Sequence, residues 1–413
     1  MSIQQQAQIG LRYYKTNNDI KKRKKYIYME NGLIVDPYSA NNTIASAYYP
    51  LLVDQKVDYL LGNQPTTAIE EDKFYQDLTD IARRASAQGI QWVYPYIKKG
   101  ELALALFPTS ELEWFYDDNG DLEEMWRKVY DKDDKLFIYV YDKDGIRIYK
   151  DSVKGQPVET TGHVPVTVQM GAEKTTEQMS WGVCPFIALK NNLECVYDLE
   201  PIKGLIDTYD IVLSDFANNL EDFQDVTWIL KGYDGQDVNK FLDEVRRYKT
   251  LQVGENGDAR PSTIEIPTDA RMAMLDKGEK LIFKFGRGVD TDNMSGGSLT
   301  NVAIESHFAN LDMKANNFAY QVTEFINNYI DFYNIYAAMS NKQAIVQGDI
   351  TYNKSTIVNQ EDMLKANVEQ TGNISERTKL ANNPWVKDPD EEMKQLEAER
   401  NIQVESLETP FKE

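Results

Sequence analysis

Histidine and cysteine are nearly absent from this sequence of 413 residues, which has two of each. His163, His307, Cys184 and Cys195 do not fall at zinc-ligand spacing, and they offer no Cys–His nucleophile pair. Two cysteines supply no disulfide framework and point to a reducing compartment during synthesis. No stretch approaches the roughly 18 apolar residues of a membrane span. The N-terminal "MSIQQQAQIG" lacks the basic-then-apolar pattern of a leader, so none is expected. Positive charge is also short. Against 66 Asp and Glu stand 45 Lys and Arg, a formal charge of −21. A tight grip on nucleic acid works by Lys and Arg displacing counterions from phosphates, and a chain this acidic is poorly made for that. No Gly-x-x-x-x-Gly-Lys-Ser/Thr cradle occurs, which excludes a P-loop motor. "GRGVDTDNMSGG" has glycines without the spacing or preceding strand of a dinucleotide fingerprint. "DKDDK" and "DKDG" fail to continue into a calcium loop and read as hairpin turns. No cofactor, metal or catalytic constellation is expected.

What is present is ordinary globular material, 42% apolar, long enough for two or three structural units. In "LLVDQKVDYLLGNQP" the residues Leu52, Val53, Val57, Leu60 and Leu61 keep helix spacing, with Asp54, Lys56 and Asp58 assigned to the other side. Gly62 is read as a left-handed stop and Pro65 as its seal. Residues 1–90 read as helical over 11–28, 43–61 and up to Gly89. Residues 91–190 change to short β-rich runs split by turns such as Asp118-Asn119-Gly120, with a loop excursion expected over 151–181. The run "KKRKK" at 21–25 is either the solvated side of a helix or a patch for nucleic acid or a partner.

Residues 199–225 return to the helix period. Nine apolar side chains from Ile202 to Phe223 share one side, while Asp207, Asp210, Glu221 and Asp222 gather opposite. That face is either simply wet or lines something. A small α/β stretch comes next. Residues 268–285 form a second apolar-striped segment, in which "KLIFKF" fits either a helix or a strand. The polar, glycine-rich 286–300 then opens into a long helical segment over 301–339. In "VKDPDEE", Asp388 caps a helix that starts at Pro389.

Several of these pieces resemble one known family. "LRYYKTNNDI" with Arg12, Tyr13 and Tyr14, the Asn-Asn-x-Ile of residues 41–44, and Val-Asp-x-Lys-Val-x-Tyr-Leu-x-Gly at 53–62 are similar to the N-terminal signature of tailed-bacteriophage portal proteins, in the form found in long-tailed phages of Gram-positive hosts. "LIDTYDIVLSDFANNLEDF" at 205–223, Ser-Gly-Gly-Ser at 295–298 and "ISERTKLANNPWVKDPDEE" at 374–392 occur in the same order. The pattern is broken by two residues, not one, between Gly62 and Pro65, and by Asn18 where a histidine is common.

The resemblance implies an α+β portal fold: a mixed α/β wing over 1–198, stem helices over 199–225 and 268–285, and a small α/β clip over 226–267. It further implies a tunnel loop over 286–300, a long tunnel helix over 301–340, and short C-terminal wing and crown helices over 341–413, whose early end implies a small crown. A dodecameric ring, with thirteen-fold symmetry as the alternative in isolation, would surround double-stranded DNA at one capsid vertex. Its implied partners are the terminase large subunit, scaffolding and major capsid proteins, and a head-completion adaptor, with no membrane. The tunnel loop would present Arg287, Asp290, Asp292, Asn293, Met294, Ser295, Gly296, Gly297 and Ser298. The stem would turn Asp207, Asp210, Glu221 and Asp222 to the bore, repelling DNA so that it slides. The clip would dock partners through Tyr233, Asp234, Gln236 and Asp237. The rival readings are an acidic hydrolase and another ring-forming virion component, such as an adaptor or capsid protein.

Overall fold

The computed structural model describes residues 1–20, 26–29, 32–35, 40–170, 173–222, 227–231, 258–262, 268–291, 301–340, 342–355, 374–381, 383, 386 and 388–408. The chain opens with helix α1 (Ile3–Tyr14), whose start is fixed by a capping box. Ser2 Oγ accepts from the Gln5 amide, and the Gln5 side chain accepts from the Ser2 amide, both at 3.2 Å. The expectation of a helix over 11–28 is corrected here. After α1 comes an antiparallel hairpin of β1 (Tyr26–Met29) and β2 (Gly32–Val35). Aromatic and β-branched residues favour the strand, and they outweigh a loose helical spacing.

Helix α2 (Tyr48–Leu61) holds the stripe read from sequence, with Leu52, Val53, Val57 and Leu60 fully buried. Gly62 is right-handed, at φ −61°, so it does not stop the helix as a left-handed residue. The chain instead straightens into β3 (Asn63–Thr66), which carries Pro65 within it. Helix α3 (Asp72–Gln88) ends at Gly89, which has φ +94° and where a side chain would collide with the Cys195 carbonyl.

The β-rich part begins with β4 (Ile90–Lys98) and β5 (Glu101–Leu106). It continues as β6 (Leu112–Tyr116), β7 (Leu122–Tyr130), β8 (Leu136–Tyr141), β9 (Ile146–Lys150) and β10 (Glu159–Thr161). These last five form one antiparallel meander in sequence order. Its turns are tied by aspartates: Asp117 Oδ1 accepts from the amides of Asn119 and Asp121, and Asp131 Oδ1 accepts from those of Asp133 and Lys135. The loop expected over 151–181 is corrected to a hairpin of β11 (Val164–Met170) and β12 (Glu173–Met179). Its alternation of Val and Thr is a strand signal that the Gly, Thr and Glu content had masked. Strand β13 (Ile187–Lys190) pairs with β4 to complete a sheet ordered β13-β4-β5.

Helix α4 (Lys203–Asp222) precedes an antiparallel pair of β14 (Thr227–Lys231) and β15 (Asp258–Ser262). The helix and strands expected between these two lie outside the described residues. Helix α5 (Thr268–Gly286) includes "KLIFKF", which resolves that ambiguity in favour of helix. Helix α6 (Asn301–Ser340) runs for 40 residues, about 60 Å at 1.5 Å per residue. Strand β16 (Thr351–Asn353) pairs with β3, and α7 (Glu376–Ala381) and α8 (Pro389–Glu408) complete the order. Asp388 Oδ1 caps α8 by accepting from the amides of Asp390 and Glu391.

The largest core lies between α2, α3, the β13-β4-β5 sheet and α6, with Leu78, Ile81, Phe318, Val322, Phe325 and Ile326 at its centre. A second core joins α1, α2, α4 and α5 through Tyr13, Tyr49, Leu52, Ile206, Ile282 and Phe283. A third fills the space between β4, β7 and β8 with Trp92, Tyr94, Met125, Tyr141 and Phe186.

Candidate functional site

Helix α4 places Asp207, Asp210, Ser214, Asn218 and Glu221 three or four residues apart, so they form one stripe. Residues 40–46 of the same chain lie along it. The Ser46 amide donates to Asp210 Oδ1 at 2.9 Å, the Ile44 amide to Ser214 Oγ at 2.9 Å, and the Asn42 amide to Asn218 Oδ1 at 2.7 Å. Asn42 Nδ2 reaches Glu221 Oε2 at 2.5 Å. The register has a simple origin. Two residues of extended chain rise about 6.8 Å and four residues of helix about 6 Å, so every second amide meets the next turn.

The carboxylates at the near end of this stripe are likewise committed. Asp210 is fully buried, and its Oδ2 accepts from Asn18 Nδ2 at 2.6 Å. Burial raises its pKa, and the bonds from Ser46 and Asn18 oppose the rise. Asp207 accepts from the Tyr13 hydroxyl and pairs with Lys203 Nζ at 2.8 Å. Lys203 also holds Asp19, as does Arg12 at 2.5 Å; the Arg12 bond is the main reason the Asp19 carboxyl is drawn down to about 2. Tyr14 donates to Asp54 Oδ1 at 2.8 Å. The expectation that Asp207 and Asp210 face an open bore is therefore revised, because their charge is spent inside the protomer. Asn18 is also less peripheral than expected, being a buried donor to Asp210.

Lys56, assigned from sequence to the wet side of its helix, is 1% exposed. Its Nζ lies 2.7 Å from Asp198 Oδ2, 2.6 Å from Asn191 Oδ1 and 4.3 Å above the Phe318 ring. Lys314 Nζ meets the same Asp198 oxygen at 3.1 Å and donates to the Gly286 carbonyl at 2.9 Å. Burial would raise the Asp198 pKa, but Lys314 and Lys56 outweigh it and hold the carboxyl well below the usual range. Burial pushes Lys56 down to about 8 against the opposing pull of Asp198. This cluster ties α2, the turn before α4, the end of α5 and α6 together. It explains the lysine of the Val-Asp-x-Lys-Val signature. The available signal was that Lys56 stands between Val53 and Val57, one turn from Leu52 and Leu60, in a stretch too apolar for a free lysine.

Helices α4 and α5 run antiparallel. Arg271 Nη1 reaches the Asp215 carbonyl at 3.4 Å, Gly278 sits against Tyr209, and Ile282 and Phe283 share the core with Ile206. Tyr48 wedges into the pair edge-on to Tyr209, with ring centroids 5.1 Å apart, and donates to Glu279 at 3.0 Å. The outer side of α5 differs from that of α4. Lys277, Lys280, Lys284 and Arg287 succeed one another at three or four residues, all at least partly exposed and without an ion pair among the described residues.

Beyond α5, Gln55 clamps Val289: its Nε2 donates to the Val289 carbonyl at 2.8 Å, and its Oε1 accepts the Val289 amide at 3.1 Å. Arg287 is exposed with φ 55°, and Asp290 is half-buried. Asp292, Asn293, Met294, Ser295, Gly296, Gly297 and Ser298, the clip residues Tyr233, Asp234, Gln236 and Asp237, the side chain of Asp222 and the basic run 21–25 lie outside the described residues. Among the described residues, no three metal-ligating side chains converge, and no helix is long and apolar enough to cross a membrane.

The comparisons with known proteins agree with the signature. The family "Phage portal protein, SPP1 Gp6-like" matches residues 4–406. The portal protein of Bacillus phage SPP1 is 29% identical over 96% of this chain and 84% of its own length. That of Clostridium phage phiCD119 is 25% identical over 96% of this chain and 92% of its own. Among solved structures, chains of a native gene transfer agent virion and of the neck of an empty gene transfer agent particle align at 11% identity. They cover 80% and 81% of this chain and 86% and 89% of their own, with TM-scores of 0.41 and 0.43, likenesses too loose to add to the sequence relation. With the match running almost end to end, through the α1 and α2 signatures and the α4–α5 pair, the chain belongs to the SPP1-type phage portal proteins, ring-forming structural components of the virion.

Proposed function

We propose that twelve copies of this chain close a ring at one capsid vertex and form the conduit for double-stranded DNA during packaging and ejection. The observation that carries this reading is the reach of the portal family match, which takes in residues 4–406 as one unit. The α4–α5 pair serves as the stem. Residues 226–267 at its far end are the clip, presenting Tyr233, Asp234, Gln236 and Asp237 first to the terminase large subunit and later to the head-completion adaptor. Residues 286–300 are the tunnel loop, rooted by the Gln55–Val289 clamp so that motion is confined to the residues after Val289. Scaffolding and major capsid proteins meet the wing, and assembly takes place in the host cytoplasm. The chain is a conduit and carries out no turnover of its own.

Sliding comes from weak, dispersed contacts with phosphate. The chain's net charge of −21 opposes retention of DNA, although Asp207 and Asp210 take no part in it. Lys277, Lys280, Lys284 and Arg287 are the cations placed to touch phosphates. Asp276 lies one turn before Lys280 and interrupts any continuous basic track. Electron microscopy of purified protein tests the ring: a central hole with twelve- or thirteen-fold symmetry is expected, and a stable monomer at high concentration overturns it. Deleting residues 291–298 is expected to leave rings intact and impair packaging or DNA retention. Normal packaging by that variant would remove the loop from the mechanism.

A further inference from the structure

A cleft of about 1010 Å³ opens between the β6–β10 meander, the β13 edge and the side of α6. Eight carboxylates and three cationic side chains line it, a formal balance of −5. Arg147, one of the three, is already held by Glu124 at 2.8 Å and Asp142 at 2.7 Å. Asp121, Glu123, Asp144 and Glu324 have no ion-pair partner among the described residues, and all four are exposed. On α6 the acidic wall continues as an open stripe, from Met313 through Tyr320, which is 75% exposed, to Glu324, Asn328 and Asp331. This is a concentration of unneutralised negative charge beside exposed apolar surface, on a chain that repeats itself around a ring.

Head-to-tail closure of a ring joins two unlike faces of the same protomer. A strongly acidic face on one side is then matched most cheaply by a basic element on the other. The sequence holds one such element, Lys21-Lys22-Arg23-Lys24-Lys25, five of the 45 Lys and Arg residues in consecutive positions. Fully extended, five residues reach about 17 Å, enough to set several cations along the cleft. The root of the run belongs to the opposite core. Asn18 is bound to Asp210 and Asp19 to Lys203, both on α4, whereas the cleft is bounded by the meander and α6.

We propose that this cleft is an inter-subunit socket and that its occupant is the basic run 21–25 of the neighbouring copy in the ring. The proposal rests on the ring reading given under the proposed function. Docking brings cations to carboxylates at the interface, steers the approach of free protomers, and makes ring assembly sensitive to salt.

Two measurements on the full-length chain test it. The first is zero-length carbodiimide coupling of assembled rings made from mixed light and heavy-isotope chains, read by mass spectrometry. Lysines 21–25 are expected to couple to Asp121, Asp144 or Glu324 between a light and a heavy chain. Coupling within one chain, or only elsewhere, overturns the socket. The second is charge reversal. Asp144→Lys with Glu324→Lys, or Glu at all five positions 21–25, is expected to raise the concentration for half-assembly by about tenfold, with the two reversals together restoring much of it. Unchanged assembly, or no recovery in the combined variant, also overturns it. If the unaltered chain forms no rings at all, it is the ring reading that fails; if it forms rings without this coupling, only the socket does.

Discussion

Helices α4 and α5 are paired along their length and both are amphipathic, yet their polar sides have opposite fates. That of α4 is covered by its own chain, with Asp207, Asp210, Ser214, Asn218 and Glu221 each bound to α1, to Asn18 or to residues 42–46. That of α5 stays open, with Lys277, Lys280, Lys284 and Arg287 unpaired among the described residues. Periodicity identifies a polar face, but it does not say whether water or protein covers that face. Short polar side chains such as Asp, Ser and Asn match backbone amides in an extended segment, whereas long lysines keep their charge in solvent.

The sharpest test of the contrast is Asp198→Asn. Removing the carboxylate leaves Lys56 and Lys314 facing each other in a buried site and is expected to cost about 3–5 kcal/mol in denaturant unfolding. Asp210→Ala comes next, at about 1–3 kcal/mol, because the donors of Asn18 and Ser46 lose their acceptor. A loss below about 0.5 kcal/mol would mean that the α4 stripe is open after all.

Acid titration separates the buried groups by sign. Asp198 and Asp19 have pKa values below the unfolded 3.8, so the stability they contribute is present at neutral pH and lost as pH falls below about 4. Asp210 has a raised pKa, so the folded state binds its proton first, and stability should gain as pH falls through that value. Asp198→Asn is expected to flatten the acid limb, and Asp210→Asn to abolish the gain. The same flattening in both variants would contradict the assignment.

The smallest effect on stability is expected on α5. Lys277→Gln, Lys280→Gln and Lys284→Gln together should leave unfolding within about 0.5 kcal/mol of the parent. If these lysines touch phosphates, the dependence of DNA binding on log salt should fall by about 2–3 in slope. An unchanged slope would remove them from the DNA path.

Much of the framework could be read from pattern alone. The α2 stripe, the stop at Gly89, the Asp388 cap and the length of α6 all arise from local rules of spacing and capping that tertiary context seldom overrides. Other features were set by distant partners. The burial of Lys56 depends on Asp198 and Lys314, and that of Asp210 on Asn18 and Ser46, contacts spanning more than a hundred residues. The helix expected over 11–28 gave way to a hairpin because aromatic and β-branched residues outweigh spacing in a short segment. The α1 cap was present in Ser2-x-x-Gln5, but the apolar signal behind it is weak.

The exit from α5 has a mechanical consequence. A side chain at Gly288 would collide with Leu52 and come within 2.8 Å of Gln55 Oε1, and Lys314 grips the carbonyl of Gly286. The strand leaving the helix is thus pinned sideways against α2 and α6 at three successive backbone points. Tension on whatever lies downstream would load those anchors together in shear and would not peel them off one at a time. A chain so riveted can be tugged repeatedly by a moving cargo without unravelling the body that holds it.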